Sequence, residues 1–197
     1  MLPTSSLLAV LLFSFAVGFG AVISPGPVSA AIVSQAPRRG WSTGPLVAAG
    51  HSLLELILVL LVGFGLATVL SGAAIQTAIA LLGGLLLIWM GAKMIMDAWR
   101  GTVRLPGAHD EEPAMTTRQL VGLGMLATVS NPFWYAWWVT VAAGYLAQAR
   151  LLGLEAVAAF YVGHISADFA WDTFLSTAVA SGRRWMTPGV YRGLIGL

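Results

Sequence analysis

Two short stretches of the 197-residue chain carry an imidazole four residues ahead of a carboxylate: Gly50-His51-Ser52 with Glu55, and Gly163-His164-Ile165-Ser166 with Asp168. On a helix, residues four apart share a face, so each pair can share a hydrogen bond, and Asp172 extends the second face by another turn. Imidazole and carboxyl groups that take up and release protons are suited to carry a proton through a dry region. The same four groups, His51, Glu55, His164 and Asp168, are also a nitrogen and oxygen ligand set for Zn²⁺, Mn²⁺ or Ni²⁺ if the two stretches meet. A third reading is a pair of neutral, hydrogen-bonded couples that lock helix packing. Placing such groups in hydrocarbon costs at least about 2.5–3.5 kcal/mol each, which argues that they have a task.

A second kind of polar feature interrupts apolar runs. Ser24-Pro25-Gly26-Pro27 lies in one and Ser130-Asn131-Pro132 in another. Each proline lacks an N–H and crowds the carbonyl four residues earlier, so the first sequence should break its helix and leave carbonyls near Ala21 and Ile23 without partners. The segment resuming after the break offers free N–H groups and a positive dipole end. Asn131-Pro132 predicts a milder break, with the Asn131 amide able to donate and accept. Together Ser24, Pro25, Gly26, Pro27, Ser130, Asn131 and Pro132 would line a substrate site with acceptors for an ammonium and donors for a carboxylate.

The run Phe133-Trp134-Tyr135-Ala136-Trp137-Trp138 follows directly. An aromatic face there could hold an ammonium, but most of these rings are expected to face lipid, since they cannot all point inward. The spacings Gly40-x3-Gly44 and Gly189-x3-Gly193 and the pair Gly83-Gly84 allow close helix approach, and with it a homodimer. Lys93 is expected to snorkel from the end of a span.

The elements that must position these groups follow from composition. Hydrophobic residues make up 58% and charged residues 9% of the chain, with 10 Lys plus Arg and 8 Asp plus Glu; mean hydropathy is +0.84. A water-facing surface needs roughly 25–35% charged residues, so this chain belongs in a bilayer and is too hydrophobic to be disordered. The absence of Cys excludes thiol redox chemistry, thiolate zinc sites and Fe–S clusters. A span takes about 20 apolar residues. Five stretches qualify: 7–34, 45–70, 73–92, 119–147 and 153–180. A sixth begins at Pro188 and reaches Leu197, about half a span. It is expected to be the start of a truncated sixth helix. The first basic residue is Arg38, so no cleavable leader is expected.

Placing Met1 outside puts Arg38, Arg39, Lys93, Arg100, Arg104, Arg118, Arg183, Arg184 and Arg192 on the cytoplasmic side and only Arg150 on the other. That bias sets the N-terminus out, and Trp41, Trp99 and Trp185 beside the basic clusters agree with it. The basic residues are topology signals, and no nucleic-acid partner is expected. Serine, then histidine and carboxylate, recur in the same order in both halves, at offsets of 106 and 113 residues. A three-span unit enters from opposite sides in its two copies, so the repeat would be inverted. The reading is an all-α integral membrane protein with one transmembrane domain over 1–197. Repeat one covers about 7–92, a solvated linker about 93–118, and repeat two about 119–197, giving a 2 × 3, six-helix transporter fold.

Pro25-Gly26-Pro27 after the first span, Arg38-Arg39-Gly40, Gly50 at the head of the next helix and Asn131-Pro132 in the second half resemble the LysE/RhtB family of amino-acid exporters over essentially the whole chain. The resemblance implies a six-helix plasma-membrane exporter of amino acids or related small metabolites, driven by the proton gradient, with Pro25, Gly26, Pro27, Asn131 and Pro132 at the centre of the path. The His and carboxylate stretches look like a subgroup of that family. The expected partners are a small-molecule substrate, protons relayed by His51, Glu55, His164, Asp168 and Asp172, and membrane lipid, with no cofactor. A divalent metal exporter using the same scaffold is the alternative. An intramembrane acid–base enzyme is a remote one, because no nucleophile elbow, His-Glu-x-x-His motif or cofactor loop accompanies these groups.

Overall fold

The protein is described by a computed structural model covering residues 2–3, 6–62 and 114–182, with separate positions between Ala74 and Arg100. Every regular element among the described residues is helical. α1 (Leu7–Val22) is capped by the Ser6 hydroxyl, which accepts from the Ala9 N–H at 3.1 Å. α2 (Pro27–Arg39) leaves it at an angle of 77°, so the expected first span is two helices joined at the proline pair. α2 stops at Gly40, whose φ of 84° suits a residue without Cβ. α3 (Thr43–Leu61) is long and apolar enough to cross a membrane.

α4 (Thr117–Val129) starts with a capping box in which Thr116 and Gln119 satisfy each other's backbone N–H groups. α5 (Pro132–Trp137) passes through a π turn (Trp138–Ala142) into α6 (Ala143–Leu152), with αR backbone at both junctions. Gly153, at φ 111°, turns the chain into α7 (Leu154–Gly182), 29 residues long. At about 1.5 Å per residue that length spans a bilayer. The expected span 119–147 is therefore split at Ser130-Asn131 and runs on to Leu152. The separately described positions between Ala74 and Trp99 are helical, among them Ile95, Met96 and Trp99 beyond the expected end at Ala92; Lys93 itself, the segment 101–113 and the stub from Pro188 lie outside the described residues.

Side chains are distributed the opposite way from a water-soluble fold. Ser14, His51, Glu55, Thr128, His164, Asp168, Asp172 and Ser176 are buried, while Leu8, Leu12, Ile57, Leu60, Leu81, Leu85 and Ile88 are exposed. Polar groups inside and leucines outside are what hydrocarbon as solvent selects.

α1 packs along α7, and α3 packs along both α4 and α7. Glycines permit these contacts. A Cβ at Gly163 would strike the Leu11 carbonyl of α1. One at Gly50 would strike the Val121 carbonyl of α4, and one at Gly124 the Val47 carbonyl of α3. The long helix of each half thus lies against the first helix of the other half, at backbone contact. Ser14 adds a hydrogen bond from its Oγ to the Phe160 carbonyl at 2.6 Å. Val10, Trp138, Leu146 and Phe160 belong to one apolar core cluster, and Ile32, Val47 and Leu120 form a second.

Candidate functional site

The two helix breaks meet. At the first, the Ser24 N–H donates to the Ala21 carbonyl at 3.2 Å, so that carbonyl, expected to be unpartnered, is used by a tight turn. Pro27 opens α2 behind an extended Gly26, and no side chain caps its N-terminus. At the second, Asn131 Oδ1 accepts from the Phe133 N–H at 3.1 Å, so α5 is capped by its own sequence. The two breaks therefore differ: only the α2 terminus keeps amides uncapped by a side chain. The Asn131 amide nitrogen lies 3.6 Å from the position a Gly26 Cβ would occupy. A cavity opens beside them, walled by Ser24, Gly26, Val28, Ser29, Asn131, Trp134 and Trp137 and floored by His51, Glu55, His164, Asp168 and Asp172. Of the residues expected to line a substrate site, Ser24, Gly26 and Asn131 border this cavity. Pro25, Pro27, Ser130 and Pro132 do not contribute to its walls; they shape the turns, and the Ser130 hydroxyl donates back to the Ala127 carbonyl at 3.0 Å.

The ionisable groups converge across helices. His51 Nε2 lies 3.3 Å from Glu55 Oε1 on its own helix and 3.8 Å from Asp168 Oδ2 on α7. His164 Nε2 lies 3.2 Å from Glu55 Oε2 on α3 and 3.8 Å from Asp168 Oδ2. Glu55 sits between both imidazoles, where the sequence predicts two separate pairs. All four side chains are at most 10% exposed. His51, Glu55 and Asp168 each offer a ligand atom within 4.8 Å of the other two. Asp172 is buried beside them, and neither of its oxygens has a hydrogen-bond partner among the described residues.

The surroundings orient these groups. Thr128 Oγ1 donates to the Gly124 carbonyl at 2.7 Å, so it must accept from His51 Nδ1 at 2.9 Å. Trp134 and Trp138 both donate an indole N–H to Glu55 Oε1 at 3.0 Å. Trp137 stacks on His164, with ring centroids 4.4 Å apart and planes 15° from parallel. Phe133 and Tyr135 are the more exposed rings of the aromatic run, Phe133 also bordering the cavity, whereas the three tryptophans turn toward the buried groups and not toward lipid. Their i, i+3, i+4 spacing carried the signal: residues so placed share a helix face, and that face is the one turned to Glu55. Thr128 was missed because a threonine one turn above a helix break has no pattern of its own.

A site with this composition can bind a zwitterion at its two ends. Uncapped amides at the start of α2 suit a carboxylate, and indole faces backed by carboxylates suit an ammonium. It can also hold protons or a metal ion among Glu55, Asp168 and the imidazoles.

A sequence model of the family described as LysE type translocator matches residues 19–196. An uncharacterized membrane protein of Pseudomonas aeruginosa is 27% identical over 112 residues, which make up 56% of this chain and 52% of that protein. The chain thus spans about half the length of the curated relative it matches. No solved structure matches.

Proposed function

The chain belongs to the LysE type translocator family, and from that premise we propose that this membrane protein is a secondary exporter of amino acids or related small metabolites. In this reading the solute crosses the plasma membrane by alternating access, with protons as the coupling ion and the two halves as inverted repeats. The observation that supports it best is the single cavity reached both by the helix breaks, at Gly26 and Asn131, and by the buried groups His51, Glu55, His164 and Asp168. Solute and coupling ion would share that cavity. Binding the solute's carboxylate at the α2 terminus and its ammonium near Trp134 and Glu55 would displace a proton held by the cluster, and release outward would let the proton return.

The test is flux in proteoliposomes with an imposed pH gradient and a panel of labelled amino acids. Gradient-dependent efflux that is lost in Glu55→Gln supports the reading. Efflux that ignores the gradient removes the proton from it, and the absence of flux for every solute in the panel removes the amino acid.

A further inference from the structure

We infer that His51, Glu55 and Asp168, whose ligand atoms lie within 4.8 Å of one another, form with the adjoining His164 a binding site for a divalent transition-metal ion of the Zn²⁺ class, bridging α3 to α7. The inference rests on the cluster's geometry and needs neither an amino-acid solute nor a proton gradient. Zinc bonds of about 2.0–2.1 Å to nitrogen and oxygen place tetrahedral ligands about 3.3–3.5 Å apart. The contacts between each imidazole nitrogen and the two carboxylates are 3.2, 3.3, 3.8 and 3.8 Å. These close approaches leave acceptors unused: Glu55 Oε2 and Asp168 Oδ2 are buried and accept no hydrogen bond among the described residues. Buried carboxylate oxygens in that state call for a cation, and the imidazoles beside them supply one only when protonated.

The neighbours of the four ligands are arranged as they are around metals. Thr128 commits its own proton to the Gly124 carbonyl and so takes the Nδ1 proton of His51. With Nδ1–H given to Thr128, a His51 that carries no proton on Nε2 sets that lone pair against Glu55 Oε1 and Asp168 Oδ2, at 3.3 and 3.8 Å, an opposition of acceptors. A metal ion resolves that opposition, and a ligating imidazole typically gives its other N–H to an orienting acceptor. Glu55 Oε1 is held by the indoles of Trp134 and Trp138 and lies 3.3 Å from His51 Nε2, while Oε2 lies 3.2 Å from His164 Nε2, so the carboxylate faces both imidazoles. His164 is stacked on Trp137 with its Nε2 3.2 Å from Glu55 Oε2, where it can complete the shell.

The probe is Co²⁺ added to the purified full chain in detergent, read by visible absorption. One equivalent should bind with the intense bands of a tetrahedral site and be displaced by Zn²⁺. His51→Ala should abolish the bands, and Thr128→Val, which keeps every ligand, should weaken binding about 10- to 100-fold. The chain has no cysteine, so His164→Cys supplies a separate signal even if an alanine variant fails to fold: a new near-ultraviolet sulfur-to-cobalt band. Failure of the full chain to take up Co²⁺, binding unchanged in His51→Ala and Thr128→Val, or Co²⁺ bound to His164→Cys without the sulfur band would each overturn the site. No gradient or solute enters this measurement, so a negative flux experiment leaves it standing and a negative binding experiment leaves the exporter reading standing.

Discussion

Gly26 and Asn131, which lie 105 positions apart in the sequence, face each other across the cavity at van der Waals distance from where a methyl group on Gly26 would be. Gly26 has an extended backbone, φ −159°, which any residue can adopt. Gly26→Ala should therefore fold normally, and Gly26→Leu should fold but fill the gap between the two breaks. Size-exclusion elution and proteoliposome flux check this: flux retained within a few-fold for Ala and reduced at least 10-fold for Leu.

Glycines elsewhere are under a harder constraint. A Cβ on Gly124 or Gly50 would meet backbone carbonyls of the facing helix, which cannot rotate away. Gly124→Ala and Gly50→Ala should each lower stability by about 1–3 kcal/mol. Gly122, two residues before Gly124 on α4, has open space around it, so Gly122→Ala should be neutral or stabilising by up to about 1 kcal/mol. Thermal unfolding in detergent compares the three.

Loss of an orienting donor should leave the fold and weaken the site. Trp138→Phe keeps the ring's bulk and removes one N–H from Glu55 Oε1, an interaction with a charged acceptor worth about 1.5–3 kcal/mol. Trp134→Phe should cost a similar amount, and the double variant should be less active than the two single losses predict, because both indoles serve one oxygen. Flux of the four proteins in a double-mutant cycle measures the coupling.

Thr128→Val leaves the His51 Nδ1–H without its acceptor in a buried place, at a cost of about 1–3 kcal/mol. Thr128→Ser restores the hydroxyl and should recover most of the stability. Equal Tm values for Val and Ser would remove Thr128 from its orienting role.

Much of this was legible before any coordinates because the signals are rare in apolar runs. Prolines at 25, 27 and 132 dictate helix breaks: Pro27 and Pro132 each open a helix, and Pro25 lies in the link between α1 and α2. A histidine four residues before a carboxylate dictates a shared face, and both pairs are buried. Partner choice across helices was not legible: i, i+4 spacing gives neighbours along a helix, whereas Glu55 meets His164 because α3 packs on α7, at a seam where a Cβ on Gly44 would strike the Asp172 carbonyl. The tryptophans were misplaced because a count of bulky residues cannot say which three of five turn inward. The side-chain cap on α5 was open to prediction, since Asn before Pro is a favoured helix start; its effect, leaving α2 as the terminus without a side-chain cap, emerged from comparing the two breaks.

The packing of α7 on α1 and of α3 on α4 bears on how the molecule is made. Severing the chain between Gly101 and Thr117 would strip each fragment's longest described helix of the surface it was shaped against, so neither fragment should persist when produced alone. Made together in one cell, they carry matching glycine-lined seams, and assembly from two pieces should restore the intact protein's behaviour.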